Sequence, residues 1–166
     1  MKLFGISILS LIPICLGYWR KKKLLRQQKM REDLIEFFTF LRFEIQHFLR
    51  PQDEIFAQFQ SPILEETNFL PTLRYESLIS PCGAMERSIA MLMQKEHFSP
   101  REETVLTDFG KRFGLRSKQG QLEDCDALLE ALKEAEKNEG KKCAADAAAA
   151  WTSGVCIGMG IFILLI

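Results

Sequence analysis

Residues able to do acid–base, nucleophilic or metal chemistry are few and far apart in this sequence. Neither of the two histidines, His47 and His97, has companion ligands, and each is expected on a solvated helix face or near a helix end. There is no GxxxxGK[ST] phosphate loop. The cysteines are Cys15, Cys82, Cys125, Cys143 and Cys156. Their number is odd and no two form a CxxC pair, which is typical of a protein in a reducing compartment. The sequence therefore predicts no catalytic, cofactor or metal site, and no enzyme.

The charges balance overall but are unevenly placed. Lys and Arg total 22 and Asp and Glu total 22, so the net charge is zero and no standing positive field favours nucleic acid. Acidic and basic side chains three or four residues apart, from Glu130 to Lys137, are typical of a solvated helix face. Both ends of the chain, in contrast, are apolar. We therefore expect no nucleic-acid partner. The two apolar ends are the most informative feature of the charge distribution.

Each apolar end has the length of a membrane helix. Leu3 to Trp19 and Ala147 to Ile166 carry no charge, and as helices they would span about 25 Å and about 30 Å. Basic residues follow the first: Arg20, Lys21, Lys22, Lys23, Arg26, Lys29 and Arg31. The positive-inside rule then keeps the middle of the chain in the cytoplasm and both termini outside. The prediction is an anchor over 1–19, a cytoplasmic helical bundle over 20–146 and a transmembrane helix over 147–166.

Other interpretations of these segments remain open. The first could be a cleaved signal peptide, although its positive charge follows the apolar run instead of preceding it. The second could be a buried core helix. The basic cluster could set topology alone or also bind anionic lipid headgroups. The spacing of Gly154 and Gly158 would suit close approach of another membrane helix, most simply the chain's own first helix.

Apolar residues in the middle of the chain recur at helical spacing. One stripe predicts a long first helix that continues from the anchor and stops before Pro51: Leu34, Phe38, Leu41, Ile45 and Phe48, widened by Phe37, Phe40 and Phe43. A short helix is expected around Ile55 to Phe59 and another over Ala84 to Gln94. The stretch 63–81 gives no clear prediction, because Pro71 and Pro81 interrupt it, and only 61–71 is treated as a loop.

Two further helices have clear signals. Ser99, Pro100 and Glu102 form a predicted capping box with proline at the first helical position. After Ser117 a last long helix is predicted from apolar residues three and four apart, and it runs into the second membrane segment: Leu122, Cys125, Leu129 and Leu132. The predicted fold class is all-α, an antiparallel helical bundle on a two-helix transmembrane hairpin.

The chain resembles the stage III sporulation protein AB family of endospore-forming bacteria in three passages. One runs from the anchor through RKKKLLRQQKMREDLIEFFTFLRFEI, with Glu44 at the family's acidic position. The last is the charged helix and glycine-bearing anchor that ends in ILLI. The other is LTDFGKRFGLRSKQGQ, in which five residues match the family pattern: Leu106, Gly110, Gly114, Ser117 and Gln121.

The resemblance implies a non-enzymatic scaffold in the complex that joins mother cell and forespore. Such a protein would sit in the mother-cell membrane around the forespore, with other stage III membrane proteins, possible further copies of itself, and a cytoplasmic ATPase that docks on the bundle. The family is similar to the inner-membrane platform protein of type II secretion systems. One alternative is therefore a platform fragment of a type II secretion or pilus system. A second, of another class, is an exported helical enzyme or binding protein with a cleaved leader.

Overall fold

The computed structural model describes the backbone of residues 2–48, 50–81 and 83–165, and the side chains of 15–48, 50–81, 83–138 and part of 145–163. All regular structure in these residues is α-helical, which confirms the all-α class. Seven helices follow one another within them: α1 (Lys2–His47), α2 (Gln52–Gln58), α3 (Pro62–Glu66), α4 (Phe69–Ile79), α5 (Ala84–Lys95), α6 (Pro100–Arg112) and α7 (Lys118–Leu165).

The chain divides into two compact units. The terminal unit consists of Met1–Gln28 and Lys137–Ile166, and the central unit of Lys29–Glu136. Among the described residues, no helix is both long and apolar enough to cross a bilayer. The two predicted spans, and the spacing of Gly154 and Gly158, fall in large part on residues outside that description.

α1 carries the centre of the hydrophobic core. It ends at His47, so the prediction that this helix stops before Pro51 is confirmed. The Phe37 ring lies 5.1 to 5.2 Å, centroid to centroid, from the rings of Phe38, Phe59 and Phe69, in edge-to-face geometry that favours aromatic pairs. The predicted stripe is largely correct, because α1 buries Met30, Leu34, Phe37, Phe38 and Leu41.

Two phenylalanines of the predicted stripe do not join the core. Phe43 is 51% exposed and Phe48, just beyond the end of α1, is also exposed. Phe43 lies two residues from Leu41 and so turns about 200° around the helix, away from the core. Phe43 and Phe48 contact each other instead, with ring centroids 6.0 Å apart.

The stretch 63–81, for which there was no clear prediction, contains α3 and α4, so the treatment of 61–71 as a loop is wrong. The Ser61 hydroxyl accepts from the backbone N–H of Leu64 at 3.2 Å and caps α3, with Pro62 at its first position. α4 begins at Phe69, so Pro71 lies in the first turn, where a missing N–H costs no helical hydrogen bond.

Arg74 of α4 ties the preceding short helices together. Its guanidinium donates to the carbonyls of Phe56 at 3.1 Å and Phe59 at 2.5 Å, and to Glu65 at 2.6 Å. A planar guanidinium with several donors can satisfy the carbonyls at the end of α2 and the carboxylate of α3 at once.

The capping box at the start of α6 is confirmed, and it is joined to α1. Ser99 Oγ accepts from the N–H of Glu102, and the Glu102 carboxylate accepts from the N–H of Ser99 at 2.8 Å. Arg31 of α1 donates to the same carboxylate at 2.9 and 3.3 Å.

α7 closes the central unit against α1. It buries Cys125, Leu128, Leu129 and Leu132, and Leu122 of the predicted stripe is half-buried. Arg42 of α1 forms a two-point ion pair with Asp126, at 2.5 and 3.1 Å. Lys118 donates to the carbonyl of Gln46 at 2.9 Å.

Candidate functional site

The described residues contain no arrangement that suggests catalysis or metal binding. No group of three or more His, Cys, Asp or Glu side chains could hold a metal ion among them. Both histidines are exposed, as predicted, and the His47 ring rests against Phe43 with centroids 4.6 Å apart. The carboxylates and lysines from Glu130 to Lys137 that were predicted to be solvated do alternate on an exposed face.

Cys125 is a core residue and not a nucleophile. Burial raises the pKa of its thiol to about 12, and the neighbouring Asp126 adds to this rise. A thiol must lose its proton to attack a substrate or bind a metal, so this one is inert at neutral pH. Arg42, through its hydrogen bond, lowers the pKa of Asp126.

Glu44, which matches the family's acidic position, is a buried carboxylate near the end of α1. Its Oε2 accepts no hydrogen bond from a described residue and lies 3.9 Å from Nη1 of Arg50. Arg50 also donates to Gln58 at 3.1 Å and stacks over Phe48, with the guanidinium carbon 4.7 Å from the ring centroid. Arg50, in the turn between α1 and α2, thus partly offsets the buried negative charge of Glu44.

The five matched residues of the passage LTDFGKRFGLRSKQGQ lie in α6, at the connection between α6 and α7, and at the start of α7. Leu106 is in the core, and a Cβ on Gly110 would lie 3.0 Å from the Cα of Glu86, so this glycine lets α6 approach α5. Gly110 lies within α6, two residues before its end at Arg112.

Past the end of α6, the remaining three matched positions build the turn into α7. Gly114 has φ +79°, a conformation in which a side chain would be strained. Ser117 Oγ accepts from the N–H of Gly120 at 3.3 Å, and Gln121 donates to the carbonyl of Arg116 at 2.9 Å. The matched residues therefore serve architecture, not chemistry.

The most conspicuous exposed apolar surface of the central unit lies on α4 and α5. Tyr75, Leu78 and Ile79 stand at i, i+3 and i+4 on one face of α4, and Leu78 is 74% exposed. Beside them runs a groove of about 660 Å³ whose lining includes Pro71, Tyr75, Ala90 and Met91, with the Glu76–Arg87 ion pair at 2.8 Å. We call Tyr75, Leu78 and Ile79, together with the residues that line this groove, the α4–α5 face. This face was not predicted, because no helix was predicted over 69–79.

A second exposed surface lies on the terminal unit. Trp19 is 77% exposed, and Leu16 is also exposed. On α7 the exposed apolar residues include Ile157, Met159 and Ile163. The rings of Tyr18 and Trp151 meet edge to face at 6.3 Å between centroids, and the Lys21 ammonium lies 5.8 Å from the centre of the Trp151 ring.

These features indicate a general class of protein. It is an all-helical protein whose described surface offers apolar contact faces. The chain belongs to the stage III sporulation protein AB family, whose model matches residues 2–166. The family resemblance found in the sequence is thereby confirmed, and with it a role in sporulation. No curated protein and no solved structure matches the chain. The similarity to the type II secretion platform protein stays a prediction.

Proposed function

We propose that this protein is a non-enzymatic scaffold in the mother-cell membrane around the forespore, where it helps to assemble the stage III channel complex. The central unit would face the cytoplasm and dock a cytoplasmic ATPase. Two helices of the terminal unit would form the membrane hairpin. The observation that carries the proposal is the α4–α5 face, an exposed apolar surface on a family member whose described residues hold no metal cluster.

The exposed apolar side chains of the terminal unit support the membrane address. Leu16, Ile157, Met159 and Ile163 are more than half exposed, and contact with lipid chains would remove them from water. Tyr18 and Trp19 lie at the boundary between apolar and basic sequence, where amphipathic rings are enriched in membrane proteins, and the Trp151 ring contacts that of Tyr18. The basic run that starts at Arg20 supports an orientation with the central unit inside.

The α4–α5 face supports docking of a protein partner. Apolar residues at i, i+3 and i+4 next to a groove are the arrangement by which helices are commonly recognised. Leu78 and Ile79 would be buried by a partner at a gain of about 1.5–3 kcal/mol per fully covered side chain. The Glu76–Arg87 ion pair at the rim would contribute orientation more than affinity.

A pair of leucine substitutions tests the docking. Leu78→Asp places a charge in the centre of the α4–α5 face, and Leu115→Asp makes the same change at another exposed leucine, between α6 and α7. In sporulating cells, crosslinked pull-downs should recover the ATPase and other stage III subunits with wild-type protein and with Leu115→Asp. Recovery should fall at least tenfold with Leu78→Asp. Equal recovery with both variants would exclude this face as the docking site.

The alternatives make different predictions. A type II secretion or pilus platform fragment would co-purify with secretion or pilus subunits in vegetative cells. An exported protein with a cleaved leader would lack Leu3 to Trp19 when its mature form is measured by mass spectrometry. Retention of that segment in a carbonate-resistant membrane fraction would eliminate the exported protein and support the hairpin.

A further inference from the structure

Three cations of the terminal unit form an exposed basic surface on α1. Arg20, Lys22 and Lys23 are exposed, and no acidic residue occurs in the chain before Glu32. No side chain that the structure describes forms an ion pair with any of the three. Four arginines of the central unit, in contrast, each pair with a carboxylate: Arg31, Arg42, Arg74 and Arg87.

The position of these cations around the helix directs them away from the α7 contact. At 100° per residue, Arg20, Lys22 and Lys23 cover about 160° of the helix circumference, with Trp19 inside that arc. The opposite side carries Gly17, which is buried, and Lys21, which lies over the Trp151 ring of α7. The three cations and Trp19 therefore form one outward face, with the indole on its apolar side. We call it the α1 basic face.

We infer that the α1 basic face binds the headgroups of anionic phospholipids in the inner leaflet. Setting topology requires only that the positive charges exist, whereas lipid binding also requires them to be outward-facing and unpaired at the level of an interfacial tryptophan. This inference rests on the proposed membrane hairpin. Each cation that engages a headgroup contributes roughly 1 kcal/mol near the surface, which corresponds to about fivefold enrichment of that lipid.

Tryptophan fluorescence offers a direct test because the chain has only two tryptophans. The Trp151→Phe variant keeps an aromatic ring against Tyr18 and leaves Trp19 as the sole reporter. The full-length protein would be reconstituted into vesicles of neutral and anionic phospholipid at a 7:3 molar ratio. The bromine quencher would be carried at equal mole fraction on either the anionic or the neutral lipid. We expect quenching of Trp19 to be at least twofold stronger with brominated anionic lipid, and the difference to vanish in 1 M salt.

A matched pair of triple variants assigns the effect to the α1 basic face. Replacing Arg20, Lys22 and Lys23 by glutamine should equalise the two quenching values. Replacing three exposed basic residues of the central unit by glutamine removes the same charge and should leave the preference unchanged: Arg101, Lys111 and Lys133. Equal quenching in the parent protein, or equal loss in both triple variants, would overturn the inference. Absence of quenching by either lipid would instead refute the membrane hairpin itself.

Discussion

The buried ion pair between Arg31 and Glu102 joins α1 to the capping box of α6, and it can be removed from either side. The side chains of Arg31 and Glu102 are only 11% and 2% exposed. The Glu102 carboxylate accepts from Arg31 and from the backbone N–H of Ser99. Arg31→Met keeps the length of the side chain but leaves a buried carboxylate without its cation. Glu102→Gln retains the capping acceptor and removes the negative charge.

The expected free energies of unfolding follow from these environments. Removing one partner of a buried pair costs about 3–5 kcal/mol, because the other charge stays buried and uncompensated. Arg31→Met should lower stability by that amount. The double variant Arg31→Met/Glu102→Gln removes both charges of this pair and loses mainly hydrogen bonds, at roughly 1 kcal/mol each, so it should be more stable than Arg31→Met alone. The coupling energy in the cycle should therefore reach about 2 kcal/mol.

Urea unfolding of the full-length protein in detergent, followed by circular dichroism at 222 nm, measures the cycle. Arg101→Met is the control, because Arg101 pairs with Glu134 at 2.9 Å on the exposed surface and its loss should cost less than about 1 kcal/mol. Raising the salt concentration should leave the Arg31 effect largely intact, since buried pairs are weakly screened. The reasoning fails if Arg31→Met and Arg101→Met are equally stable, or if the double variant is the least stable of all.

Further predictions concern the core, the buried thiol and the exposed α1–α7 ion pair. Phe37→Ala should lower the unfolding free energy by about 3–5 kcal/mol, while Phe43→Ala on the same helix should change it by less than about 1 kcal/mol; equal losses in urea unfolding would contradict the packing. Cys125, with a pKa raised to about 12, should be alkylated by iodoacetamide at pH 8 on the order of a thousandfold more slowly than an ordinary thiol until the chain is denatured, as mass spectrometry can measure. Asp126→Asn should reduce stability at neutral pH. Because the pKa of Asp126 is lowered in the folded state, its ion pair contributes stability at pH values above the pKa of Asp126 in the unfolded chain, and this stability is lost as the pH falls through the pKa of Asp126 in the folded protein. If wild-type and Asp126→Asn proteins differed by the same unfolding free energy at every pH, the role of Arg42 would be refuted.

Local signals in the sequence were enough to predict several elements. Ser99 and Glu102 are three residues apart, and both hydrogen bonds of the capping box depend only on that spacing and on side-chain chemistry. The end of α1 follows from the restriction that Pro51 imposes on the residue before it. Arg31 and Glu102, in contrast, are 71 residues apart, and their pairing depends on how α1 and α6 pack. No local pattern encodes that contact.

The errors have equally specific causes. Pro71 was taken to break a helix, but two residues earlier Phe69 already starts α4, so the proline occupies the one turn where it is tolerated. The α4–α5 face was lost with that helix. Phe43 was assigned to the core because α1 has more phenylalanines than one stripe requires, and composition alone does not tell which ring turns outward.

The residues that identify the family and the residues that would bind a partner are different sets in this protein. Gly110, Gly114 and Ser117 match the family pattern, and each has a structural role. Gly110 allows α6 to approach α5 closely, Gly114 adopts a left-handed backbone conformation, and Ser117 accepts a hydrogen bond at the start of α7. Replacing them would disturb the fold, so loss of function there would say little about partners. Leu78, on an exposed face, has no comparable task inside the chain. A substitution at Leu78 that abolished assembly without changing stability would therefore locate the docking surface, which none of the family-like positions can do.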